Sequence, residues 1–209
     1  STIVVLWREL IRLLQGVFRF RWNQQMQYVV KLIVSMIHIA IVGIFFRKQV
    51  ESLFVSNILL VGAMLLLTAL LLYLASRVPM GKESKQPSFL AALIMGVGQA
   101  VAVLPGLSRS GTTISMGILS GVSRAEAAKF SFLMVLPPSI GANLLDIVDG
   151  DLAASAVSGN ALLAGCLAAF ISGVLACRAM IALGQRRGLR GFALYCLVVG
   201  IIALGYALF

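Results

Sequence analysis

The chain has 209 residues, 60% of them hydrophobic and 11% charged, with a net charge of +10. Soluble domains carry about 25% charged residues, so this chain cannot cover a water-facing surface. Its mean hydropathy of +1.02 and the apolar runs along its whole length predict instead an all-α, polytopic integral membrane protein.

The positive excess does not imply nucleic acid. The basic residues flank apolar runs, and no basic face with interleaved aromatics occurs. Lys and Arg at headgroups and in cytoplasmic loops account for it. Cys166, Cys177 and Cys196 sit inside apolar runs without metal-like spacing and read as small hydrophobes.

In chain order, Ser1 to Trp7 is an apolar stub followed by Arg8, Glu9 and Arg12. It falls short of the about 20 residues a span needs. With no initiator Met, the expectation is the end of a span cut off upstream, in a fragment or processed part of a longer protein. Residues 8–24 carry Arg8, Arg12, Arg19 and Arg21 among Leu, Ile, Phe and Trp. They fit either a juxtamembrane amphipathic segment or an ordinary basic loop.

The first complete span is expected at 28–46, closed by Arg47 and Lys48, with Lys31 snorkelling near its start. His38 stands alone in mid-span. An intramembrane ionisable group is a functional candidate; a neutral His hydrogen-bonded to a neighbouring helix is the simpler reading. A second span follows at 53–74, then a polar loop at 75–88.

Residues 89–104 are apolar but stop at Pro105-Gly106, and a second short apolar piece occupies 114–122. Neither comfortably crosses a hydrocarbon core of about 30 Å. Two short helices around a polar Gly/Pro loop predict a re-entrant hairpin or broken helix, a backbone tolerated at membrane depth only when buried in protein or lining a polar cavity.

Ser123-Arg124-Ala125-Glu126 matches a Ser-x-x-Glu capping box, so a helix is expected from there to about 145, kinked at Pro137-Pro138. An acidic loop with Asp146, Asp149 and Asp151 follows. Further spans are expected at 161–183 and 192–209, joined by a loop with Arg186, Arg187 and Arg190. Arg178, near a span end, reads as a snorkelling residue. The positive-inside rule places the basic segments 8–24, 75–88 and 184–191 in the cytoplasm, provided that 89–122 enters and leaves on one side; Arg47 and Lys48 fall against this bias, partly offset by Glu51.

The chemistry concentrates at Pro105 to Thr113, PGLSRSGTT. An Arg near mid-membrane costs roughly 2.5–3.5 kcal/mol on insertion scales, and something must offset that. The planar fork of Arg109 suits bidentate pairing with phosphate or carboxylate. Ser108, Ser110, Thr112 and Thr113 add hydroxyl donors, while Gly106 and Gly111 permit tight turns. If Gly111 or Thr112 opens the second short helix, its free amides and dipole also face the loop. The alternative is a polar turn at a headgroup surface, which does not require shortened spans. No Asp, Glu or His lies between Ser84 and Arg124, so the segment can bind phosphate but brings no base; Ser108 or Ser110 could act as a nucleophile only if activated from elsewhere.

At these residues the sequence resembles the bacterial undecaprenyl-diphosphate phosphatase family linked to bacitracin resistance. The match is Pro105-Gly106-Leu107-Ser108-Arg109-Ser110-Gly111-Thr112-Thr113, the family's P-G-x-S-R-S-x-x-T signature. It extends through Gly98-Gln99 upstream, and through Ser115, Gly121 to Arg124 and Phe130 to Leu133 downstream.

The resemblance implies removal of the terminal phosphate of undecaprenyl diphosphate, which regenerates the lipid carrier of cell-wall synthesis, at a site facing the extracytoplasmic side of the bacterial inner membrane. It also implies two inverted repeats, each with a broken helix. Residues 1–74 would then be the remainder of the first repeat, 75–88 a linker and 89–209 the second. Arg109 would clamp the diphosphate and Ser108, Ser110 and Thr113 would hydrogen-bond its oxygens, with Gly106 and Gly111 shaping the loop and Gln99 nearby. Catalytic roles are carried onto Arg109, Ser110 and Ser108.

The sequence departs from the family at its N-terminal motif, E-G-x-T-E-F-x-P-x-S-S-x-x-H, of which it has no match. The resemblance implies a divalent cation (Mg2+ or Ca2+) whose ligands are not in this chain, so the chain alone is expected to hydrolyse little. The implied partners are a polyprenyl diphosphate substrate and membrane lipid, and a homodimer is compatible. Two other functions fit the broken helix: a carrier or flippase for phospholipid-like anions, and a non-catalytic subunit or remnant.

Overall fold

A computed structural model of the chain describes residues 1–18, 23–54, 58–79, 84–148, 159–185 and 188–208. These contain ten helices and no strand: α1 (Thr2–Val5), α2 (Trp7–Val17), α3 (Gln24–Phe45), α4 (Arg47–Leu53), α5 (Ile58–Arg77), α6 (Phe89–Val101), α7 (Arg109–Leu119), α8 (Arg124–Val148), α9 (Gly159–Gln185) and α10 (Leu189–Leu208). Within them, Gln24–Phe45, Ile58–Arg77, Ala161–Ala182 and Leu189–Leu208 are long and apolar enough to cross a membrane. The fold is that of a polytopic all-α membrane protein.

The expected spans are present with shifted ends. Helix α3 starts earlier because the Asn23 side chain caps it, accepting the Met26 N–H at 2.7 Å, so the polar turn at Gln24-Gln25 is helical despite its hydropathy. Residues 7–17 form the separate, strongly amphipathic helix α2; Arg19, Arg21, Asp149, Asp151, Arg186 and Arg187 lie outside the described residues. Helix α8 opens where the capping box predicts, yet the box is not made. The Ser123 N–H donates to the Lys85 carbonyl at 3.0 Å, the Ser123 hydroxyl meets no partner, and Glu126 turns to Lys129 at 3.1 Å. A full charge on Lys129 outcompetes a neutral amide for the carboxylate. The same helix runs through Pro137 and Pro138.

Helices α6 and α7 are the short pair. At about 1.5 Å per residue they measure about 20 and 17 Å, well under the about 30 Å of a bilayer core. Both outer ends of this hairpin lie at one end of the molecule. Beside the start of α6, Gln24 at the start of α3 donates to Gln86 at 3.2 Å. The bond from Ser123 to Lys85 brings the exit from α7 to the same place. Arg124 then reaches carbonyls at the end of α5, those of Ala75 and Ser76, and that of Val78 just beyond it. The hairpin is thus re-entrant, and the end where it enters and leaves also carries Lys85 and Arg124.

Two buried clusters hold the hairpin in place. One joins Leu72 and Ala75 of α5, Ile114 and Ile118 of α7, Ala127 of α8 and Leu189 of α10. The other joins Tyr28 and Leu32 of α3, Met95 of α6, and Phe130 and Met134 of α8, with the Tyr28 and Phe130 rings edge to face at 5.4 Å. Antiparallel α5 and α10 approach through small residues: a Cβ on Gly62 would sit 2.8 Å from Leu204, and one on Gly200 would sit 2.9 Å from Leu66. Close backbone approach through glycine is how apolar helices associate without a hydrophobic drive from lipid.

Candidate functional site

The site is built at the apex of the hairpin, where α6 has ended and α7 begins. Gly106 makes the turn with φ +89°, a conformation that side chains disfavour. A Cβ there would also lie 2.5 Å from the Val61 carbonyl oxygen, so glycine is required twice over, by the turn and by contact with α5. Leu107 then buries its side chain, anchoring the loop before the polar residues.

Ser108 is tied on both sides. Its N–H donates to Thr68 Oγ1 at 3.1 Å, and that hydroxyl donates to the Met64 carbonyl at 3.0 Å. Its own Oγ accepts the Gly111 N–H at 3.2 Å, making Ser108 the N-cap of α7. Thr68 is fully buried and stands near the middle of α5, about 14 Å along the axis from Arg77. The apex loop therefore sits deep in the hydrophobic layer.

Helix α7 starts at Arg109, two or three residues before the expected Gly111 or Thr112, because the Ser108 side chain satisfies an amide that would otherwise fray. The Gly111 and Thr112 amides are used by the cap. Those of Arg109 and Ser110 are the remaining first-turn donors, at the positive end of the helix dipole. Arg109 and Ser110 are half-buried, and among the described residues no carboxylate pairs with Arg109. A guanidinium, a hydroxyl and two helix amides thus belong to one helical turn, and among the described residues no carboxylate pairs with that turn.

The structure brings Ser108, Arg109, Ser110, Gly106 and Gly111 together at the apex, with Thr113 one turn into α7 and Gln99 near the end of α6. Thr113 is fully buried; its hydroxyl donates to the Arg109 carbonyl at 2.9 Å and meets Ser131 Oγ of α8 at 2.6 Å. Gln99 is also fully buried, and neither end of its amide has a partner. Thr112 Oγ1 and Ser115 Oγ are buried and unpartnered too. Thr112 faces α6, its methyl 3.5 Å from where a Gly98 Cβ would be.

His38 does not make the interhelical hydrogen bond expected of it. Its Nδ1 is buried without a partner, 3.0 Å from the Cβ position of Gly96, because α6 approaches there through a residue with no acceptor side chain. Sequence reasoning missed Thr68, a lone hydroxyl in an apolar run, and the packing role of Ser131. A polar residue amid leucines was the available signal for the first.

The described residues contain no group of three or more His, Cys, Asp or Glu able to hold a metal ion. Cationic Arg109 and neutral hydroxyls suit an anion, and these residues do not fit a divalent cation, which prefers carboxylate and carbonyl oxygens.

Residues 1–202 match the family described as bacitracin resistance protein BacA. The chain is 45% identical over 207 residues to the undecaprenyl-diphosphatase of Christiangramia forsetii, covering 99% of this chain and 78% of that protein. It is 45% identical over 207 residues to that of Bacteroides fragilis, covering 98% and 77%. A third relative of that description, from Parabacteroides distasonis, is 46% identical over 214 residues, covering 100% and 79%. A deep arginine on a re-entrant hairpin and similarity along nearly the full chain lead to one conclusion: the chain belongs to the bacitracin resistance protein BacA family.

Proposed function

We infer that this protein hydrolyses undecaprenyl diphosphate to undecaprenyl phosphate and inorganic phosphate in the bacterial inner membrane, recycling the lipid carrier of cell-wall synthesis and conferring bacitracin resistance. The observation that carries the reading is the nearly full-length similarity to proteins named undecaprenyl-diphosphatase. The re-entrant hairpin suits it physically: a diphosphate on a polyprenyl chain needs cationic donors at membrane depth beside an apolar path, and Arg109 at the start of α7 offers them.

In this proposal Arg109 clamps the diphosphate through its fork, and Ser110 with the amides of Arg109 and Ser110 binds the remaining oxygens. Charge that builds on the leaving phosphate is stabilised by donors fixed before the substrate arrives. Ser108 holds the helix start, its lone pair committed to the cap and its own hydrogen free for a phosphate oxygen. Thr113 and Gln99 support the loop from behind, Thr113 through its bond to Ser131. The hairpin supplies no general base. The apex points away from the basic end, so it faces the extracytoplasmic side.

The test is phosphate release from undecaprenyl diphosphate by the purified full-length protein, N-terminal motif included, in detergent with divalent cation present, beside Arg109→Ala. Phosphate release that depends on Arg109 is the expected result. Substrate binding without any phosphate release would favour a lipid carrier and overturn the hydrolase reading.

A further inference from the structure

At the basic end, remote from the hairpin apex, Arg124 lies beside Arg190 and against the backbone on either side of Arg77, and among the described residues none of the three forms an ion pair. Arg124 is only 9% exposed. Its Nη2 donates to the carbonyls of Ala75, Ser76 and Val78 at 3.3, 3.3 and 3.0 Å, while Nε and Nη1 are buried and meet no acceptor. Burial, and then the like charge of Arg190, push the Arg124 guanidinium below its ordinary pKa. The Arg77 guanidinium lies over the Tyr73 ring at 5.9 Å.

Among the described residues, the ion pairs of Glu9 and Glu126 are with Arg12 and Lys129, and none is formed with this cluster. The C-terminal dipole of α5 supplies about half a negative charge against three positive ones. An external anion at this end would help balance them.

From the cluster an apolar groove of about 510 Å³ runs between α5 and α10, lined by Leu66, Leu70, Tyr73, Leu194 and Leu197 with Arg190 at its rim. Its volume falls in the range of about 300–1,000 Å³ typical of small-molecule sites. Leu70, Tyr73 and Leu194 are 52%, 49% and 61% exposed, so the groove opens toward lipid.

We propose that this groove is a binding site for an anionic phospholipid of the leaflet at the basic end, with its phosphate on Arg190 and Arg77 and one acyl chain between α5 and α10. Charge complementarity selects the occupant: a zwitterionic headgroup brings its own ammonium into an arginine cluster, whereas an anionic one brings only the missing charge. Free phosphate satisfies the arginines but leaves the apolar groove unfilled. Basic pockets between spans on the cytoplasmic side recognise anionic headgroups by this combination. The site is separate from the hairpin and does not depend on its chemistry.

The experiment uses delipidated, purified protein in detergent, titrated with dioleoylphosphatidylglycerol, with dioleoylphosphatidylcholine, or with inorganic phosphate, and read by native mass spectrometry and by thermal unfolding. Retention of phosphatidylglycerol, with a higher unfolding temperature, is expected, and neither control should reproduce it. The exposed substitutions Arg77→Gln and Arg190→Gln are each expected to weaken it by about fivefold. Arg8→Gln, a basic residue away from the groove, should leave it unchanged.

Leu194→Trp fills the groove without touching an arginine and should also reduce retention, which keeps the test decisive if an arginine variant fails to fold. Equal retention of phosphatidylcholine, equal protection by inorganic phosphate, an equal loss in Arg8→Gln, or a lipid-free dimer whose contact is broken by Leu194→Trp would each overturn the proposal.

Discussion

The hydroxyl of Thr68, halfway along α5, accepts the backbone N–H of Ser108 at 3.1 Å. One hydroxyl in an otherwise apolar helix thus fixes the residue that caps α7 and precedes Arg109. Thr68→Val keeps the shape but leaves that N–H without its acceptor, at a cost of about 1–3 kcal/mol. We expect a lower unfolding temperature together with reduced phosphate release. Unchanged activity would show that the apex holds its place without α5.

Arg109→Ala should reduce kcat/KM by about 100-fold or more, the scale seen when a preorganised donor to a developing oxyanion is removed. Arg109→Lys restores charge but not the planar fork and should recover only part of the loss. Steady-state phosphate release on a series of diphosphate concentrations separates the two effects.

Gly106→Ala should be worse than a single added methyl suggests. Its φ of +89° costs a side-chain-bearing residue about 1–2 kcal/mol, and the new Cβ would press on Val61 backbone, which cannot swing aside. A lower yield of folded protein and a lower unfolding temperature are expected. By contrast Gly121, also at positive φ (+84°), has open space around it, so Gly121→Ala should show the conformational cost alone.

Thr113 and Ser131 join α7 to α8 through a 2.6 Å hydrogen bond. Thr113→Val should destabilise the protein by about 1–3 kcal/mol by leaving the buried Ser131 hydroxyl unsatisfied, and Ser131→Ala by less, because Thr113 keeps its bond to the Arg109 carbonyl. The double variant should cost less than the sum, because the second change removes the orphan made by the first. Additive losses would mean that the two hydroxyls do not depend on each other.

The divalent cation implied by the family resemblance is proposed to serve catalysis from groups other than the hairpin's. Chelation with EDTA should therefore abolish phosphate release while leaving the unfolding temperature of the α6–α7 region, followed by hydrogen exchange, nearly unchanged. A collapse of hairpin protection on chelation would place the metal against α7 after all.

Much of this architecture is legible in the sequence. Hydropathy gives α3, α5, α9 and α10, and the interruption at Pro105-Gly106 between two short apolar pieces gives the re-entrant hairpin. The nine residues from Pro105 to Thr113 identify the family and single out Arg109. Hydropathy does not give the ends of helices, because caps such as Asn23 and Ser108 act through hydrogen bonds of single side chains. The division of labour between Ser108 and Thr113 is equally hidden, since two hydroxyls of like chemistry meet different neighbours once α7 winds. The Ser123–Glu126 motif shows the converse: the local pattern is present, and Lys129 and Lys85 draw its two partners elsewhere.

Arg124 grips the last carbonyls of α5 at the base of the hairpin, while Val61 and Thr68 of the same helix hold its tip. One helix therefore acts as a ruler for the whole loop. The distance from the membrane surface to Arg109 is measured along protein, not along lipid. Whatever bilayer surrounds the protein, these contacts fix the spacing of the apex along α5. Arg109 is thereby held at a set distance from the base of the hairpin by protein contacts alone.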